Sequence, residues 1–148
     1  MRDLPRQLSV DELAELFEGR TRLVERLAEC EEPLTAADRV IGELTEEELK
    51  EALDAHPAIG ARREELSERS AAEQGDDDDP EVLAELARLN ERYEQRNSFR
   101  FVTFVNRRPK AQVLEELRER LARPTEEELR RAARELVAIA RDRWCSSR

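Results

Sequence analysis

Apolar residues return along most of the chain every three or four positions, the spacing that gathers them on one face of an α-helix. Val10, Leu13, Ala14 and Phe17 form the first such stripe and Leu23, Val24 and Leu27 a second, with Gly19 between them. After Pro33 a short helix is expected from Thr35 to about Gly42, and Leu49, Ala52 and Leu53 mark the next. A further helix is predicted over about Ala61 to Gln74. Val82, Leu83, Leu86, Leu89 and Tyr93 carry another, which Asp79 caps ahead of Pro80, a residue suited to the first helical position. Two more run from about Pro109 to Leu121, with Val113, Leu114, Leu117 and Leu121 inward, and from Thr125 to about Trp144, with Leu129, Ala132, Ala133, Leu136, Val137 and Ala140 inward. Ser9 with Glu12, Thr45 with Glu48 and Thr125 with Glu128 have the spacing of capping boxes, where hydroxyl and carboxylate satisfy free backbone N–H groups reciprocally. Phe99 to Val105 breaks the helical period and is predicted as the single extended run. The pattern predicts an all-α fold, one domain over residues 1–148 with about seven or eight helices and one short extended segment.

Composition narrows the classes of partner. The 148 residues suit one domain. They carry 26 basic and 36 acidic side chains, a formal charge of −10, so nucleic-acid binding would need a strongly segregated basic face that the chain does not offer. Charged residues make up 42% and aromatics 4%, which disfavours a large β core. No apolar run approaches the roughly 18–20 residues that cross a bilayer, and the start, Met1 to Pro5, lacks a signal peptide's apolar stretch. No membrane association and a cytoplasmic location are the expectations. Cys30 and Cys145 lie far apart and outside any CxxC spacing, so neither a zinc site nor a disulfide framework is indicated.

Few residues offer chemistry. His56, the sole histidine, continues the register of Leu49, Ala52 and Leu53, and Pro57 forces the chain out of helix behind it. This places an imidazole at the rim of the core on a rigid turn. The residues leave two readings open: a histidine interacting with the helix dipole, or an acid–base group. Ser70 and Glu73 share one helical face and follow Leu66 at spacings that turn a carboxylate toward the apolar side. A histidine and a glutamate brought together would form an acid–base pair. Asp76 to Asp79 lack the alternation and the glycine of a calcium loop and read as a solvated turn, so no metal site is expected. Phe99 to Phe104 resembles half of an aromatic RNA-recognition signature. Asn97, Ser98 and Arg100 nevertheless occupy its basic, glycine and small positions, and the chain cannot supply the four-stranded sheet. Buried phenylalanines, or a pocket wall for a small anion, fit better.

His56-Pro57-x-Ile59-Gly60, Ser70-x-x-Glu73-Gln74, Leu89-Asn90-x-x-Tyr93 and Phe99-x-Phe101-Val102, in this order, resemble the 2-oxo-4-hydroxy-4-carboxy-5-ureidoimidazoline (OHCU) decarboxylase family of urate degradation. Leu16 to Glu18 and Leu23-Val24 fit its opening helices, and Glu135 to Arg141 its last. The resemblance implies an all-α, often dimeric protein that converts a small anionic substrate to (S)-allantoin without a cofactor. His56 would be the catalytic acid/base, with Glu73 orienting it or acting on the substrate hydroxyl. Pro57, Ser70, Gln74 and the backbone of Val102, Thr103, Phe104 and Val105 would line the pocket. The chain departs from the family at Gly75 and the aspartates after it, at Asn97-Ser98, and at Asn106, which stands where an arginine is usual, with Arg107 and Arg108 beside it. Two alternatives remain at this point: a non-catalytic helical interaction protein on the same scaffold, or a relative decarboxylating another ureido heterocycle.

Overall fold

Ser9 and Glu12 close the first capping box: the Glu12 N–H donates to Ser9 Oγ at 3.1 Å and the Ser9 N–H to Glu12 Oε1 at 3.0 Å. Helix α1 (Val10–Phe17) follows, in a computed structural model that describes residues 4–57 and 79–146. It ends at Glu18, whose left-handed φ of 66° lets the Gly19 N–H reach the Ala14 carbonyl. The left-handed position thus falls on Glu18, while Gly19 serves a close approach: a Cβ there would lie 3.2 Å from that of Ala55. Helix α2 (Arg22–Ala28) starts at Thr21. Helix α3 (Pro33–Glu43) starts two residues ahead of the expected Thr35, because proline's fixed φ already suits the first turn. Helix α4 (Glu46–Asp54) opens on the Thr45–Glu48 box. Beyond the described break come α5 (Pro80–Asn97), α6 (Lys110–Arg120) and α7 (Thr125–Ser146). The helix expected over 61–74 lies outside the described residues.

The third capping box is not formed. Helical turns begin a residue earlier, with the Glu128 N–H bonded to the Pro124 carbonyl, and the Thr125 hydroxyl donates to Asn97 Oδ1 at 2.8 Å. Glu128 turns inward instead, accepting from Arg120 Nε and the Tyr93 hydroxyl, each at 2.7 Å. A charge-assisted bond to a guanidinium inside the core outweighs a neutral bond at a helix end.

The fold is all-α, and the described residues form no strand. Helix α7 runs through the middle and packs on α1, α3, α4 and α5, which explains why its Leu136, Val137, Ile139 and Ala140 are all buried. The other long contacts are α1 on α2, α2 on α3 and α4, and α5 on α6. Residues 99–105 interrupt the helices as expected, yet they form no strand and do not show the one-in, one-out alternation of one: Phe101, Val102 and Thr103 are buried in succession. With no neighbouring strand to pair with, the segment's carbonyls are taken by arginines. Arg120 Nη1 donates to Val102 O at 3.0 Å, while Arg108 Nη2 and Nε donate to Phe104 O and Val105 O at 2.9 and 3.0 Å. Buried carbonyls need such partners. Tyr93 meets Phe99 and Phe101 edge-on, with centroids 5.7 and 5.2 Å apart, and fixes the segment's apolar side.

Candidate active site

Helix α4 delivers His56. Its N–H still bonds back to the Leu53 carbonyl at 3.1 Å, so the residue sits in a final tight turn before Pro57. The imidazole is not at a rim: only 5% of the residue is exposed. Nδ1 is buried with no hydrogen-bond partner among the described residues. Burial, joined by the positive charges of Arg143 and Arg100 and opposed by Glu18, lowers its pKa from 6.5 to about 4. The ring is therefore neutral at pH 7. This overturns the dipole reading, since a neutral ring gains little from a helix C-terminus and the terminal carbonyls are taken by another side chain.

That side chain is Arg100. Its Nη1 donates to His56 O at 2.5 Å and to Asp54 O at 3.2 Å, and its Nε pairs with Glu94 at 3.2 Å. Arg143, only 3% exposed, donates from Nη1 to Leu16 O at 3.0 Å and pairs with Glu18 at 3.1 Å. The site is thus a neutral imidazole between two fixed guanidiniums, each matched by a glutamate.

Of the residues expected to act with His56, Pro57 follows it half-buried, while Ser70, Glu73 and Gln74 lie outside the described residues. Val102, Thr103 and Val105 are buried and Phe104 is half-buried, and Arg100 ties the start of their segment to the His56 turn. The Thr103 side chain faces a different network: Oγ1 lies 2.6 Å from Glu116 and 3.0 Å from Glu135. Burial works to raise the Glu116 carboxyl, but hydrogen bonds from Thr103 and Arg108 outweigh it and hold its pKa below the ordinary value. Asn106 and Arg107 form an exposed left-handed turn, with φ of 49° and 62°, and point no charge inward. Arg108 is engaged by Glu116 at 2.7 Å.

Sequence reasoning missed Arg100, Glu18, Arg120 and Arg143. For the last two a signal existed: Arg120 continues the stripe of Val113 and Leu117, and Arg143 that of Leu136 and Ala140. A cation on an apolar face is rarely buried unless paired. A separate groove of about 460 Å³ lies between α3, α4 and α7, lined by residues such as Leu44, Leu49, Leu129 and Arg130, and involves none of the residues around His56. Among the described residues no group of three or more His, Cys, Asp or Glu side chains is placed to hold a metal ion, and no helix is long and apolar enough to cross a membrane.

Fold and site together define a helical protein with an uncharged acid–base group held beside fixed cations, a class suited to proton transfer on an anion. The family model for OHCU decarboxylase matches residues 2–144, and the chain belongs to that family of carboxy-lyases. Among solved structures, an OHCU decarboxylase crystallised in the presence of (S)-allantoin superposes with a TM-score of 0.74 at 25% identity, over 90% of this chain and 94% of that one. An (S)-allantoin synthase superposes with a TM-score of 0.67 at 22% identity, over 93% of this chain and 48% of that one, a likeness of fold. No curated protein matches the chain.

Proposed function

We propose that the protein decarboxylates 2-oxo-4-hydroxy-4-carboxy-5-ureidoimidazoline to (S)-allantoin in urate degradation, without a cofactor. The observation that carries this reading is the buried, neutral His56 between Arg143 and Arg100 in a chain of the OHCU decarboxylase family. As CO2 leaves, the electron pair of the broken C–C bond enters the ring's conjugated C=N system. Protonation of the neighbouring carbon from one side then sets the stereocentre. The protein has to hold the carboxylate out of the ring plane, exclude water and deliver one proton. His56 is the acid/base, and Glu73 orients it or acts on the substrate hydroxyl. Pro57, Ser70, Gln74 and the backbone from Val102 to Val105 form the pocket. An arriving carboxylate raises the imidazole's proton affinity, so a ring that is neutral in the free protein becomes a proton donor once the anion is bound. The reading brings with it a homodimer and a cytoplasmic location, checked by light scattering and by cell fractionation.

Generating the unstable substrate in situ from urate with the two preceding enzymes, and following allantoin by circular dichroism, tests the activity. Optically active allantoin should accumulate in proportion to the protein added. An unchanged, racemising spontaneous decay would end the proposal.

A further inference from the structure

Arg100, itself half-buried, sits between Phe99 and Phe101, both buried. Its side chain runs back to the end of α4. The last carbonyls of a helix lack partners within it and carry partial negative charge, and α4 has no basic residue in its last turn. Arg100 supplies both the donors and the charge from outside. Nη1 bridges the carbonyls of Asp54 and His56, the backbone N–H donates to Asp54 Oδ1 at 3.0 Å, and Nε is steadied by Glu94 from α5. One residue therefore ties together the end of α4, the last turns of α5 and the start of the extended segment.

We propose that Arg100 is a positioning residue of this site: it locks the turn that carries His56 to the segment whose backbone lines the pocket, so that imidazole and pocket wall keep one register. The inference rests on the decarboxylase reading for its kinetic consequence, though not for its structural one. Among the described residues, the charged groups that act on His56 are Arg143 from α7, Glu18 from the end of α1 and Arg100 itself. Replacing Arg100 removes one of two cations and the clamp. Replacing it by lysine keeps the cation but removes the planar fork that reaches two carbonyls and a carboxylate at once.

Because His56 is the only histidine, its ring resonances give an unambiguous NMR titration in the full-length protein. Arg100→Gln should shift that titration upward and lower kcat by roughly 10-fold or more, with a smaller change in KM. Arg100→Lys, the milder change should the glutamine variant fold poorly, should titrate like the wild type and still lose kcat. A lysine variant with full kcat, or a glutamine variant with unchanged titration and unchanged kcat, would overturn the proposal. If the wild type proved inactive on the substrate while Arg100→Gln still moved the titration, the decarboxylase reading would fail and the clamp would stand. If the wild type were active and kcat fell only in step with thermal stability in both variants, the clamp would fail and the enzyme reading would stand.

Discussion

Lowering the pH should cost this protein stability through His56 over a window that its burial defines. In an open chain the ring titrates near 6.5, in the folded protein at about 4. Between those values the unfolded chain binds a proton that the folded protein refuses, so the free energy of unfolding falls as pH drops from 6.5 toward 4 and levels off below. Above 6.5 both states are neutral and His56 makes no pH-dependent contribution. A gap of about 2.5 units, at about 1.4 kcal/mol per unit, amounts to about 3 kcal/mol at pH 4. Set against a typical total of 5–15 kcal/mol, that loss is large. Urea unfolding followed by far-UV circular dichroism at several pH values measures it, with His56→Gln as the reference that cannot titrate. Glu116 and Glu48, whose carboxyls titrate below their ordinary range, also lose stabilisation in acid, but in both proteins alike. The stability of the wild type relative to the variant should therefore fall by about 3 kcal/mol between pH 7 and pH 4. A difference that stays constant with pH would refute the buried, neutral state assigned to the ring.

The fully buried Arg120–Glu128 pair gives a second prediction: Arg120→Met leaves Glu128 without its guanidinium partner and Val102 O without its donor, at about 3–5 kcal/mol, and adding Glu128→Leu should recover part of that, as a double-mutant cycle in urea would show. Ser9→Ala and Thr45→Ala should each cost about 1 kcal/mol as lost helix caps, while Glu128→Gln should cost more than Glu12→Gln because it acts in the core and not at a helix end, all measurable as shifts in the urea midpoint. Gly19→Ala presses a methyl to 3.2 Å from Ala55, so it should displace the turn carrying His56 and lower kcat while leaving the melting temperature near the wild-type value, its entropic gain of roughly 0.4–1 kcal/mol offsetting the contact. The pH dependence of turnover should show a group near 4 in kcat/KM, which reports the free enzyme, and a higher one in kcat, where the bound anion raises it; equal values in both profiles would contradict the proton-donor role of the bound state.

The helices were legible because apolar period and caps are local. Ser9 and Thr45 needed only the residue three positions on, and both boxes form. Thr125 and Glu128 have the same spacing but a different outcome, since an arginine eight residues upstream competes for the carboxylate from inside the core. That competition is tertiary and invisible to a window of four residues. His56 was legible in register but not in burial: its neighbours Glu18, Arg100 and Arg143 come from three elements up to 87 residues away in the chain. The extended segment was legible as a break in period. That its carbonyls would be held by guanidiniums and not by a strand depends on Arg120 reaching back 18 residues to Val102. Asn106 stands where an arginine is usual in the family, but the turn it forms with Arg107 is exposed, and the described cations that act on His56 are Arg100 and Arg143.

A formal charge of −10 is a poor guide to what this protein can bind. Exposed charges are screened within about 8–10 Å at ordinary ionic strength, so the glutamates on the outer helix faces do little at a buried ring. Among the described residues, the charges that act there are the guanidiniums of Arg143 and Arg100, which lower the proton affinity of His56, and the Glu18 carboxylate, which raises it. Arg143 and Arg100 are anchored to backbone carbonyls of Leu16, Asp54 and His56, which fixes both cations relative to the His56 turn even though Arg100 also pairs with the partly exposed Glu94. Burial, the first cause of the lowered proton affinity of His56, would also make the ring responsive to an incoming carboxylate, since a negative charge brought into low-dielectric surroundings changes a nearby pKa far more than it would in water. On the proposed reading, burial and the two clamped arginines let a bound anion change the proton affinity of His56 without any excess of positive charge in the sequence.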